Sequence, residues 1–71
     1  MLTLRRVNKE IKARGWQVEL VPGVGYFWLD GDDACWAYSS SIGVFRLNHL
    51  TLEQWRDRIQ DIVEESRAKK P

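Results

Sequence analysis

Seventy-one residues make one domain, residues 1–71, close to the lower size at which a core holds a fold without covalent help. One cysteine and one histidine exclude an internal disulfide and a standard zinc site. A net charge of +1 gives no global pull toward nucleic acid, and no apolar run reaches the ~20 residues that span a bilayer.

The mass for a core must come from aromatic rings, and four tryptophans supply it. Met1-Leu2-Thr3-Leu4 runs into Arg5-Arg6 with no apolar stretch behind it, unlike a signal peptide. That start and the single thiol lead us to expect a cytoplasmic protein. Charge is unevenly spread: residues 1–15 hold Arg5, Arg6, Lys9, Lys12 and Arg14 against Glu10, whereas residues 16–50 hold Arg46 against Glu19, Asp30, Asp32 and Asp33.

Thr3 is a helix cap, and Leu4, Val7 and Ile11 follow at the spacing of one apolar stripe. Gly15 fits the position after that helix, where a left-handed residue is wanted. Trp16-Gln17-Val18-Glu19-Leu20 alternates apolar and polar like a half-buried strand, and Pro22-Gly23-Val24-Gly25 ends it. Tyr26-Phe27-Trp28-Leu29 is apolar on both faces. With Asp30-Gly31-Asp32-Asp33 as a turn, Ala34-Cys35-Trp36-Ala37-Tyr38 is expected to return as its partner strand. That register sets Trp28 beside Cys35 and Phe27 beside Trp36. Ile42 to Leu47 is β-leaning, either a fourth strand or an extended lead-in.

The last helix announces itself most fully. Thr51 at N-cap and Gln54 at N3 form a capping box, and Leu50 and Trp55 stand at the two positions of a hydrophobic staple. Leu52, Trp55, Ile59, Ile62 and Val63 share a stripe through about Arg67, with residues 68–71 expected to fray. The chain thus reads as α+β, in the order α-β-β-β-α: a three- or four-stranded antiparallel meander with two helices packed on one face. The expected core is Val7, Ile11, Phe27, Leu29, Trp36, Leu52, Trp55, Ile59, Ile62 and Val63.

Two helices cover one face of a sheet and leave the other open. Tyr26 and Trp28, opposite the small Cys35, are the candidate protein-binding residues, because Tyr and Trp bring large contact area with few rotors. Arg5, Lys9 and Lys12 form a basic stripe on the first helix and are the candidate contacts for nucleic acid, the less favoured reading. Asp30, Asp32 and Asp33 lack the spacing of a calcium loop, and Gly23-Val24-Gly25 lacks the third glycine and helix of a phosphate loop. No residue set points to catalysis, a metal or a cofactor, so a non-enzymatic module is expected.

Two resemblances add to this. The element order and size are similar to the double-stranded-RNA-binding domain. That family, however, places a lysine cluster where this chain has Thr51-Leu52-Glu53-Gln54-Trp55, so the likeness extends to fold alone. The blocks Gly25-Tyr26-Phe27-Trp28-Leu29, Tyr38-Ser39-Ser40-Ser41 and Arg46-Leu47-Asn48-His49-Leu50-Thr51-Leu52-Glu53-Gln54-Trp55 resemble a family of small accessory proteins of tailed phages and prophages of proteobacteria. That likeness covers roughly residues 3–65. It implies a phage accessory protein and no particular activity. Together with the absent chemistry and the surplus aromatic face it leads us to expect a phage-encoded modulator binding a host or phage protein in the host cytoplasm, with a structural homodimer as a further alternative.

Overall fold

A computed structural model describes all 71 residues. Thr3 caps α1 (Leu4–Ala13), its hydroxyl accepting from the Arg6 N–H at 3.2 Å. Gly15, at φ +73°, turns the chain out of the helix as its missing side chain permits. The sheet has three antiparallel strands in chain order, β1 (Glu19–Pro22), β2 (Phe27–Asp30) and β3 (Ser41–Ile42). Helix α2 (Leu52–Lys69) closes the chain and runs two residues beyond the expected end.

Side chains on a strand alternate between faces, so the register decides the core. Leu20 lies opposite Leu29, and Phe27 opposite Ile42. These four are buried with Val7 and Ile11 of α1 and Trp55, Ile59 and Val63 of α2. Both helices therefore cover one sheet face. The rings of Phe27 and Trp55 meet edge to face at 5.3 Å, and the Trp55 indole N–H donates to the Leu47 carbonyl at 2.8 Å. Leu50, Leu52 and Ile62 pack at the margin of this cluster. The capping box is complete: Gln54 N–H to Thr51 Oγ1 at 3.1 Å, Thr51 N–H to Gln54 Oε1 at 2.9 Å.

The expected hairpin of residues 26–29 with 34–38 does not form. Asp32–Ala34 is a single 3₁₀ turn, and the second edge of β2 is filled by Ser41–Ile42, with Leu29 N–H donating to the Ser40 carbonyl. Asp33 is the physical reason. Its carboxylate accepts from the Gln17 N–H at 2.8 Å and from the Arg67 guanidinium at 2.7 Å, drawing the chain off the strand line toward α2. Gly31 makes that path possible at φ +141°, where any Cβ would fall onto the Gln17 carbonyl. Ala34 is buried, and the Trp36 and Tyr38 N–H groups donate to Ser66 Oγ and to the Glu65 carboxylate on α2. Trp36, expected in the core, is instead exposed. Ile42 to Leu47 adds no fourth strand; its first residue completes the third.

Candidate functional site

The face of the sheet turned away from the helices is the first candidate surface. Register places Val21, Trp28 and Ser41 side by side across all three strands. Val21 and Trp28 are half-buried and Ser41 is exposed. One step along, Glu19 lies directly opposite Asp30, both exposed and neither within ion-pair distance of a cation. Like charges facing each other across a ladder oppose sheet formation. The row centred on Trp28 therefore has an acidic rim.

At the other end stands the β1–β2 turn, closed by a Gly23 N–H bond to the Tyr26 carbonyl at 2.8 Å. The Tyr26 ring lies over Gly23, where a Cβ would approach it to 2.5 Å, and a Cβ on Gly25 would come within 3.3 Å of the Phe45 ring. The missing side chains of the two glycines thus seat two aromatic rings against one turn. Tyr26 stays 41% exposed, Phe45 77%, and Val24 at the tip is fully exposed. Phe45 escaped the sequence reading; a phenylalanine in a segment of indeterminate structure, near paired glycines in space only, gives no signal in the sequence.

Tyr26 stands at the β1–β2 turn and Trp28 two residues on in β2, and Cys35 is not brought to either. Trp28 pairs with Val21 and Ser41. Cys35 follows the 3₁₀ turn, exposed, its thiol donating to the Gly31 carbonyl at 3.3 Å. It leaves the candidate surface.

Neither sheet edge is free. The Asn8 side chain of α1 mimics a fourth strand against β1, its Oδ1 accepting from Leu20 N–H at 2.8 Å and its Nδ2 donating to the Leu20 carbonyl at 3.3 Å. Pro22 has no N–H to offer at that edge. On the other side β3 is two residues long, and its Ser41 N–H is taken by Ser39 Oγ. Such short and occupied edges resist strand addition.

The second candidate surface is the outer side of α1. Arg5, Lys9 and Lys12 lie there as expected, joined by Arg6, and with Thr3 and Asn8 they line an open basin of about 650 Å³. Of the eleven lysines and arginines, Arg14, Arg56, Arg67 and Lys69 have a carboxylate partner. The four basin cations have none.

Three of the paired carboxylates titrate low. The Arg14 hydrogen bond lowers Glu10, the Arg67 hydrogen bond lowers Asp33 against the opposing effect of burial, and the Lys69 hydrogen bond lowers Glu65. Held ionised, these groups brace the fold and are poorly suited to proton transfer near neutral pH. Ser66 is a further residue missed in the sequence. It is buried on α2, where it receives the Trp36 N–H at 3.1 Å. Its signal was available: it continues the Trp55, Ile59, Val63 stripe, where a polar residue needs a buried partner.

Comparison with family models, curated proteins and solved structures gives no match to this chain. No helix is long and apolar enough to cross a membrane.

Proposed function

We propose that the chain is a small protein-binding module whose contact surface is the open sheet face, with Trp28 and Tyr26 at its centre. One observation carries this reading. Both helices pack on a single sheet face, so the row of Val21, Trp28 and Ser41 lies outside the core, with Ser41 exposed and Val21 and Trp28 half-buried. Exposed aromatic surface on so small a domain is the usual mark of a partner site, and its Tyr and Trp content is that of an interface centre. The closed edges favour a partner laid on the face over one added as a strand.

The Glu19–Asp30 rim selects the partner's chemistry: an apolar side chain for the row centred on Trp28, with a lysine or arginine beside it for the two carboxylates. The likeness to a phage accessory family supports a host or companion phage protein, met in the host cytoplasm, as that partner. In this reading the chain modulates its partner by occupying it and performs no catalysis.

The test couples capture with affinity. A partner retained from host lysate by wild type is purified and titrated calorimetrically against wild type, Trp28→Ala and Glu19→Lys. Trp28→Ala should weaken binding by at least about 2 kcal/mol, roughly 30-fold, with Glu19→Lys lowering the association rate. Its melting temperature should fall less than that of Trp55→Ala. Binding unchanged by Trp28→Ala would remove the face from consideration. Sedimentation of the chain alone covers the remaining case: self-association lost in Trp28→Ala would mean that a second copy occupies the face.

A further inference from the structure

We propose that the outer face of α1 is a second binding site, independent of the sheet face, and that its ligand is the phosphodiester backbone of a nucleic acid. Arg5, Arg6, Lys9 and Lys12 share one open basin, and none of them has a carboxylate within ion-pair distance, Glu10 being turned to Arg14. Elsewhere in the chain most cations do have partners, so the clustering of unpaired ones is local to this helix.

The placement also works against the fold. Arg5 and Arg6 stand in the first turn of α1, which holds no acidic residue. The positive end of a helix dipole disfavours cations there. An anion lying across the basin would reverse that repulsion. From Arg5 to Lys12 the stripe covers about 10 Å of helix axis. That length matches three steps, and so about four phosphates, of one duplex strand at ~3.4 Å axial spacing.

The chemistry of the face chooses among anions. The basin is lined by Thr3, Arg5, Arg6, Asn8, Lys9 and Lys12, none of them apolar, because Val7 and Ile11 are buried in the core. A membrane-surface helix needs an apolar face to insert, and a protein interface needs an apolar or aromatic anchor at its centre. This face offers neither. Charge without anchors is what backbone binding to nucleic acid requires. The basin's openness suits a long polymer better than a small phosphate ester, which sites usually enclose.

The experiment is fluorescence anisotropy of the full chain with labelled DNA and RNA duplexes of about 20 base pairs and their single strands, across a salt series. Four phosphate contacts predict a log–log salt slope near −3.6 on DNA duplex, hence roughly 100-fold weaker binding between about 50 and 200 mM salt. The triple variant Arg5→Gln, Lys9→Gln, Lys12→Gln should flatten the slope to about −1 while keeping a wild-type melting curve, since glutamine is a good helix former. Arg58→Gln, on the exposed surface of α2, should leave it unchanged. Whichever of DNA or RNA binds more tightly names the source of the backbone. The proposal falls if no nucleic acid binds at low salt, if the triple variant binds like wild type, or if polyglutamate or anionic vesicles bind more tightly than every nucleic acid tried.

Discussion

The start of α2 and the connection from Gly31 to Ser40 are each held by a few hydrogen bonds, yet they are written into the chain in opposite ways. Thr51 and Gln54 bond each other across three residues, and Trp55 reaches back eight to Leu47. In the connection, Asp33 bonds Gln17 and Arg67, and Trp36 bonds Ser66, over 16, 34 and 30 residues. Local bonds cost little chain entropy to close and declare themselves in any short window. Distant ones must be bought with loop closure and are invisible until the rest of the molecule is in place. The connection is thus a consequence of the fold, whereas the helix start is one of its causes.

The largest effect should come where these two kinds of contact meet. Trp55 is a residue of the helix start and also the centre of the core, fully buried against Phe27. Trp55→Ala should cost about 3–5 kcal/mol. At 0.05–0.15 kcal/mol per residue a domain of this size has about 4–10 kcal/mol in total, so the variant should be largely unfolded by mild urea. Trp55→Phe sharpens the point. It keeps a ring beside Phe27 but removes one of the two donors to the Leu47 carbonyl, leaving only the Leu50 N–H, and should cost about 1–3 kcal/mol for the lost hydrogen bond and the smaller ring. A urea midpoint for Trp55→Ala within experimental error of wild type would mean that the core lies elsewhere.

Asp33 is the corresponding residue of the connection. Asp33→Ala removes the acceptor for the Gln17 N–H and the partner of Arg67, and should cost about 2 kcal/mol near neutral pH; the half-exposed Arg67 side contributes little of it. The pH dependence has a definite sign. The Arg67 hydrogen bond holds the folded carboxyl below its ordinary value of 3.8. Between those two values the unfolded chain binds more protons than the folded one. The contribution is therefore complete above about pH 4 and is lost as pH falls through the folded value. Melting temperatures measured from neutral to acid pH should show the gap between wild type and Asp33→Ala closing below about pH 4. Glu10 and Glu65, also lowered, keep some acid sensitivity in both proteins. A gap that stays constant down to acid pH would leave the Asp33 bridge without a role in stability.

The same contrast explains what could be read in advance. Both helices, their caps and the α+β order follow from periodicity and capping, which are properties of short windows. Val7, Ile11, Phe27, Leu29, Trp55, Ile59 and Val63 are buried as their stripes require. Trp36 failed because a run of Ala, Cys, Trp, Ala and Tyr suits a strand locally, and nothing nearby reveals that Asp33 has partners 16 and 34 residues away. Cys35 lost its place on the surface through the same error of register. Trp28 keeps the face away from the helices because parity along β2 alone sets it, whichever strand lies beside it, whereas Tyr26 stands one residue before the strand with its ring over Gly23. The basic stripe on α1 was legible for a similar reason. Phe45 could not be placed, since only the folded chain brings it to Gly25.

The smallest of these effects isolates the local signal. Thr51→Ala removes the hydroxyl that accepts from Gln54 N–H but leaves Gln54 able to accept from the residue-51 N–H, so half of the reciprocal pair persists. The side chain is exposed, no cavity forms, and the expected loss is that of a cap, about 1 kcal/mol. In a domain this small that still moves the melting temperature by about 4–8 °C. Combined with Asp33→Ala the losses should add, since the two residues share no partner. If the double variant loses distinctly less than the sum, closing the connection depends on a preformed α2. The helix start is then a cause of the fold at long range as well as at short, and the contrast between the two regions becomes a sequence of events.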